Sequence, residues 1–363
     1  MEADIYHVRG EYAAVHSRIK ALQHDSRFEI DAFVLWPYFD RLTTALRRFP
    51  VSDRPSEFTL DGFRYHCGWY RRSYGDYIAK KLIGKSLGRE SETVRRLCSY
   101  INDYDIIWAN SLNTALACMN NNVPFIVTWH GSSIHTDPFK DKRVFKMTRK
   151  VLSDAAMNLF VSDELMRIAR SITPFFNGTV SYNGVDTEVF SPVGREQHQG
   201  KNIIYAGNYL PVKNVRFLPV LFENIAAHVP DAHFIIIGNG DFQKDFSKSD
   251  IDVTFMGNVE RERMPDIFRE SDLAVLPSLH EGLPMVCLEA TACGCPMVAT
   301  RVGAIADVIG KEQTVPKGDS FELDFCKLCV DTLLSAPKVQ LPSKFDLSNV
   351  IKRESDMIVS LLQ

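Results

Sequence analysis

The stretch from Asp272 to Thr300 constrains this chain more than any other part of it. Asp272–Pro277, a short apolar run, reads as a buried parallel strand that ends at Pro277. A loop of small and polar residues then leads to Glu281. Gly282 permits a tight turn, and Pro284 takes the position of a first helical residue. Met285, Val286, Leu288 and Ala292 give the helix an apolar stripe, Gly294 ends it, and Cys295–Thr300 reads as the next strand. Such a strand–loop–helix sets a helix N-terminus at the carboxyl edge of a parallel sheet, where α/β proteins bind phosphates.

The amides near Leu283, Met285 and Val286 would carry the positive end of the helix dipole and favour a diphosphate. Glu289 falls roughly 7 Å along the axis from Pro284 at ~1.5 Å per residue, about the span from a diphosphate to its ribose. Glu281 would then lie on the other side of the phosphates, near whatever they carry. Two surface glutamates flanking an ordinary turn would have the same spacing. The setting is more specific: Pro277-Ser278, Glu281-Gly282-Leu283-Pro284, Leu288-Glu289-Ala290 and Gly294-Cys295-Pro296-Met297-Val298-Ala299-Thr300. Together these resemble the E-x7-E signature of the retaining GT-B glycosyltransferases, in particular the bacterial sugar transferases of family 4.

The resemblance continues elsewhere. Val127-Thr128-Trp129-His130-Gly131, at the end of a predicted strand, matches the family's Val-Thr-x-His-Gly element. A histidine there would approach the sugar and donate or exchange a proton near pH 7. Asn183-Gly184-Val185-Asp186, followed by Phe190 and Pro192, resembles the family's crossing between domains. Gly207-Asn208 and Lys213-Asn214 stand where the family usually has Gly-Arg and Lys-Gly gripping the diphosphate. Lys213 matches, whereas Asn208 brings hydrogen bonds without charge. Gly257 and Asn258 follow another strand and would lie against the nucleobase. Gly10 is the only glycine where the family has a glycine-rich first loop, and an ordinary turn accounts for it equally well.

Other signals exclude alternatives. Gly238 and Gly240 begin a dinucleotide fingerprint whose third glycine would fall on Gln243, so a nicotinamide or flavin cofactor is not expected. Asp103 and Asp105, and likewise Asp250 and Asp252, precede strands at the amino edge, away from the ligand edge. No metal and no cofactor is expected beyond the nucleotide-sugar co-substrate. The eight cysteines read as thiols, with Cys326 and Cys329 on one face of a helix rather than a zinc knuckle. That usage points to a reducing, cytoplasmic setting.

At 363 residues the chain is long enough for two domains with separate cores. The expected division is an acceptor-side domain over 1–193, a donor-side domain over 200–345, and a terminal helix over 346–363 packing back across the junction. No apolar run approaches ~18 residues, and Met1-Glu2-Ala3-Asp4 is unlike a signal peptide. A net charge of −3 gives no footprint for nucleic acid. Basic clusters at Arg71–Arg72, Lys80–Lys81, Arg95–Arg96 and 140–150 would rest on anionic lipid at the inner face of a membrane, or simply be solvated helix faces. Residues 36–100, rich in aromatics and arginines, carry no residue-level expectation.

The resemblance thus implies an α/β protein of GT-B architecture, two Rossmann-like domains facing a cleft. It would move a hexose-type sugar from a UDP or GDP donor to a glycan or lipid-linked hydroxyl, with retention, in polysaccharide, lipopolysaccharide or glycolipid assembly. Glu281, His130 and Lys213 would serve catalysis. The donor would touch Gly10, Gly207, Asn208, Lys213, Gly257, Asn258, Glu281, Gly282, Leu283, Pro284, Met285 and Glu289. A related epimerase or sugar-phosphate synthase, and a non-catalytic sugar-nucleotide-binding partner, fit the same motifs.

Overall fold

The computed structural model describes residues 11–39, 56–72, 101–119, 121–195, 201–247 and 251–363. The sequence also reads as a short first strand over 5–8; that stretch, Gly10, and the clusters at Lys80–Lys81 and Arg95–Arg96 lie outside these residues.

Short apolar runs alternating with helical segments build two parallel sheets. In the first half, β4 (Ile107–Ala109), β5 (Phe125–Trp129), β6 (Met157–Phe160) and β7 (Gly178–Val180) pair in chain order, all parallel. A smaller sheet precedes them: β1 (Ala32–Phe39) runs parallel to β3 (Phe63–Arg72), and β2 (Glu57–Leu60) lies antiparallel on its other side. The β2–β3 hairpin turns on Asp61 and Gly62, at φ 49° and 81°. Asp-Gly is the pair such a two-residue turn demands, so residues 36–100 do carry a local sequence signal for this hairpin. Phe28–Leu35 reads as a strand in the sequence, but β1 begins four residues later, and Phe28 and Ile30 instead pack beneath the terminal helix and the small sheet.

The second sheet contains β8 (Lys201–Ala206), β9 (Ala232–Ile237), β10 (Val253–Gly257), β11 (Leu273–Leu276), β12 (Met297–Thr300) and β13 (Thr314–Val315). Its order is β10-β9-β8-β11-β12-β13, with every pairing parallel. Strands added before and after β11 therefore build outward in opposite directions. The loops leaving β8 and β11 diverge at that reversal and open the crevice where doubly wound sheets take ligands. β11 is buried throughout, as its unbroken apolar sequence requires. The outer face is filled by aromatics, with Phe222 stacked on Phe234 at 4.4 Å and Phe325 edge-on to Phe217.

Apolar packing runs without a break from Trp129, Val161 and Val185 to Leu283, Met285 and Leu288, so the two halves close on each other. The helix Leu347–Leu362 returns to the first half, where Ile358 meets Ile126 and Leu159. Asp346 caps it by accepting from the Ser348 amide at 2.9 Å. Val185 exchanges backbone hydrogen bonds with Phe345 and Leu347 at 3.0 Å each, fixing where the helix begins.

Candidate active site

Two loops meet over the crevice. From β8 the chain passes Gly207 and Asn208 to a 3-10 turn, Pro211–Lys213, that ends on Asn214 at φ 53°. From β11 it passes Ser278–Pro284 into the helix Met285–Ala292. The Leu279 amide donates to the Val212 carbonyl at 2.8 Å, tying the loops together. The Lys213 ammonium then reaches Glu281 Oε1 at 2.5 Å, both side chains being largely buried. The sequence indicated both residues; only the fold joins them across 68 positions.

Pro284 is not the first helical residue. It is the N-cap, with extended backbone at φ −72° and ψ 133°. The amides of Gly282, Leu283, Met285 and Val286 make no hydrogen bond among the described residues. These donors sit at the positive end of the helix, beside Lys213 and Glu281.

Gly282 is required for a different reason from the expected one. It is not among the residues with positive φ. A Cβ on it would stand 2.2 Å from the His130 carbonyl oxygen, and one on Gly303 would stand 2.1 Å from the Gly282 carbonyl oxygen. Three backbones from two halves of the chain are thus stacked with no room for a methyl group.

His130 follows β5, and its Nε2 lies 3.2 Å from Asn110 Oδ1 at the end of β4. Nδ1 is buried without a partner. Burial, with a smaller contribution from the Arg18 charge, lowers its pKa to about 3. The expected proton exchange near pH 7 is therefore corrected: His130 is a neutral imidazole there, because desolvation opposes the cation. Donating Nε2–H to Asn110 leaves Nδ1 as an acceptor for a hydroxyl.

Glu289 is buried at 7 % exposure, with Arg261 Nη1 2.8 Å from Oε1. The contact is an ion pair rather than an aligned hydrogen bond, since the same oxygen has no hydrogen-bonding partner. Burial raises the Glu289 pKa while Arg261 pulls it down. Arg261 also lies 5.2 Å from the centre of the Phe190 ring. Asn208 uses its Oδ1 to accept from the Asn239 amide at 3.3 Å, which shapes the loop and leaves its NH₂ as the donor toward a ligand. Gly257 turns at φ 61° with open space around its Cα, and its carbonyl accepts from the Gly238 amide at 2.8 Å. Asn258 follows it at the same edge.

Several residues at the site had no sequence signal beyond their neighbours. His280, next to Glu281, packs on His135 with ring centres 4.7 Å apart. His135 Nε2 lies 3.6 Å from Glu164 Oε1, and the other Glu164 oxygen accepts from the Gly303 amide at 2.7 Å. Among the described residues no three His, Cys, Asp or Glu side chains form a group fit for a metal. Burial pushes the Cys293 and Cys295 thiols up to about 12, so they are protonated core residues.

The sequence and the fold have known relatives. The family description "Glycosyltransferase Family 4" matches residues 58–189, and "Glycosyl transferases group 1" matches 200–329. The chain belongs to the GT-B glycosyltransferases of the family 4 type. Its two Rossmann-like domains are those of that fold. Among curated members, a glycosyltransferase assigned to teichuronic acid biosynthesis in Bacillus subtilis is 28 % identical over 203 residues, covering 53 % of this chain and 50 % of the relative. The Escherichia coli UDP-Gal:alpha-D-GlcNAc-diphosphoundecaprenol alpha-1,3-galactosyltransferase is 27 % identical over 229 residues, covering 55 % and 58 %. The matches thus span about half the length of these family members. Sucrose-phosphate synthase from Thermosynechococcus elongatus shares the fold with a TM-score of 0.72 at 17 % identity, over 99 % of this chain and 96 % of that one.

Proposed function

We propose that this protein is a retaining glycosyltransferase that moves a hexose-type sugar from UDP or GDP to a hydroxyl of a glycan or lipid-linked acceptor. The observation that carries the reading is the Lys213–Glu281 pair at the strand-order reversal, together with the amides at the start of the helix Met285–Ala292 that have no partner among the described residues. Those amides and Lys213 supply positive charge where the departing diphosphate gathers negative charge. Released from Lys213 by the phosphates, Glu281 orients the sugar and stabilises positive charge at its anomeric carbon. His130 accepts a sugar hydroxyl through Nδ1, and Glu289 shares Arg261 with the ribose. The same donors neutralise the diphosphate without a metal ion, so chelation is expected to leave turnover intact. Membership of a family that includes polysaccharide and undecaprenyl-lipid transferases supports an acceptor of that class.

Peripheral contact with anionic lipid is part of the proposal. The helix Lys142–Asp154 exposes Lys142, Arg143, Lys146, Arg149 and Lys150, with Phe139 exposed beside it at 56 %. No helix among the described residues is long and apolar enough to cross a membrane.

The test is acceptor-dependent release of nucleoside diphosphate. Glu281→Ala should abolish release while the protein stays folded; unchanged turnover would remove Glu281 from catalysis. Melting shifts with UDP, GDP, ADP and dTDP, with and without magnesium, identify the donor, since a site filled at 100 times its Kd adds ~2.7 kcal/mol. Nucleotide binding with no transfer to any acceptor would favour the binding-partner reading, to which Asn208 already lends weight.

A further inference from the structure

Beneath the site, a buried polar chain crosses the domain junction. Arg18, on the helix Glu11–Leu22, is 3 % exposed, and Glu354, on the terminal helix, is 2 % exposed. Arg18 Nε donates to both Glu354 oxygens, at 3.1 and 3.2 Å, and Ser181 Oγ donates to the same carboxylate at 2.5 Å. Arg18 Nη2 donates to the Tyr182 carbonyl at 3.1 Å, and Nη1 to Asn183 Oδ1 at 3.2 Å. With Oδ1 accepting from a guanidinium, the amide of Asn183 can point only one way, and its Nδ2 donates to the Leu283 carbonyl at 2.9 Å. Leu283 lies two residues beyond Glu281.

The neighbouring carbonyl is also held, because Gly282 O accepts from the Ala304 amide at 2.9 Å. The intervening peptide is trans, so the Leu283 N–H points away from the Gly303–Ala304 turn. The held Gly282 carbonyl leaves the Leu283 amide turned to the other side, and the held Leu283 carbonyl fixes the peptide into Pro284, from which Met285 and the helix follow.

We infer that the chain Glu354–Arg18–Asn183 is a positioning device that sets the donor-binding loop through the Leu283 carbonyl. Arg18 and Asn183 touch no substrate; they act through that carbonyl. Elements from the first half, the crossover and the C-terminus converge on a single loop atom, so the phosphate-facing amides are correctly aimed only when the two domains and the terminal helix are docked. The inference rests on the nucleoside-diphosphate reading above, and its test separates the two.

Two variants serve. Asn183→Asp keeps the acceptor for Arg18 and replaces the donor to Leu283 by a carboxylate oxygen. Arg18→Lys keeps a charge opposite Glu354 but cannot reach Asn183 with the same fork. Thr332→Val is the comparison, removing a part-buried hydrogen bond to Gln313 that involves no residue of the loop. The first readout is hydrogen exchange of the full chain without nucleotide. Peptides containing Ala304 and Cys287, whose amides bond to Gly282 and Pro284, should exchange at least tenfold faster in Asn183→Asp and Arg18→Lys, but not in Thr332→Val. The second is affinity for UDP or GDP, whichever binds the wild type, which should weaken at least tenfold in the first two variants only. Unchanged exchange at these peptides would overturn the inference, whether or not any nucleotide binds. Accelerated exchange in Asn183→Asp and Arg18→Lys, together with a wild type that binds no nucleotide, would uphold the positioning and remove the donor reading instead.

Discussion

The close stacking of three backbones at the cleft makes Gly282→Ala the sharpest perturbation. The added methyl would lie 2.2 Å from the His130 carbonyl oxygen and 3.0 Å from Val161 Cγ2. Restoring ordinary contact requires a shift of roughly 1 Å between the loop and the end of β5. Neither side yields easily. The loop is held at Gly282 O by Ala304 and at Leu283 O by Asn183, and Val161 belongs to the shared core. Overpacking of this kind costs about 1–3 kcal/mol. At about 2–4 °C per kcal/mol, the melting temperature should fall by roughly 2–12 °C. A misplacement of about 1 Å also carries a catalytic loss of about 100-fold. Differential scanning calorimetry reads the first quantity and nucleoside-diphosphate release at saturating donor reads the second. Gly282→Ala with wild-type melting and turnover would refute the packing argument, and with it the claim that the two domains approach this closely in the working protein.

Three further outcomes are expected. Lys213→Met strips Glu281 of its partner and the diphosphate of its cation; affinity for the nucleoside diphosphate should drop about 10–100-fold with little loss of fold, and titration calorimetry would reveal an unchanged Kd if Lys213 only tethers the loop. His130 has a folded pKa near 3 against an ordinary 6.5, so its neutral form is the one the fold accepts. The unfolded chain takes up that proton first, and the contribution of His130 to stability is full above about 6.5 and is lost as pH falls toward 3. Urea midpoints across that window should decline less steeply in His130→Gln than in the wild type, and parallel curves would contradict the assignment. Reversing Lys142, Lys146 and Lys150 to Glu should abolish sedimentation with vesicles containing anionic lipid, and wild-type binding should weaken with salt; retention of the triple variant would exclude this helix face.

Much of the fold was legible because it is written locally. Apolar runs such as Leu273–Leu276 have too few polar residues to face water, and Gly282, Pro284 and Gly294 punctuate the helix that follows. The E-x7-E spacing and the Asn183-Gly184 crossing likewise need only neighbours in sequence to be recognised. Errors came where a local rule met a distant constraint. Pro284 suits a first helical position, yet at ψ 133° it stays extended as the cap, and the carbonyl before it is held by Asn183. Gly282 suits a turn, but the demand on it comes from His130, 152 positions earlier.

By itself, then, the sequence determined the strands and helices, the order in which they follow one another, and the family to which the chain belongs. What only the tertiary structure decided is who meets whom at the site. Lys213 neutralises Glu281, Arg261 takes up Glu289, and His130 loses its proton to burial. Arg18, which carries no local signature, reaches the donor loop through Asn183. Each of these is a matter of distance and desolvation between residues remote in sequence, quantities that exist only once two domains have closed around them.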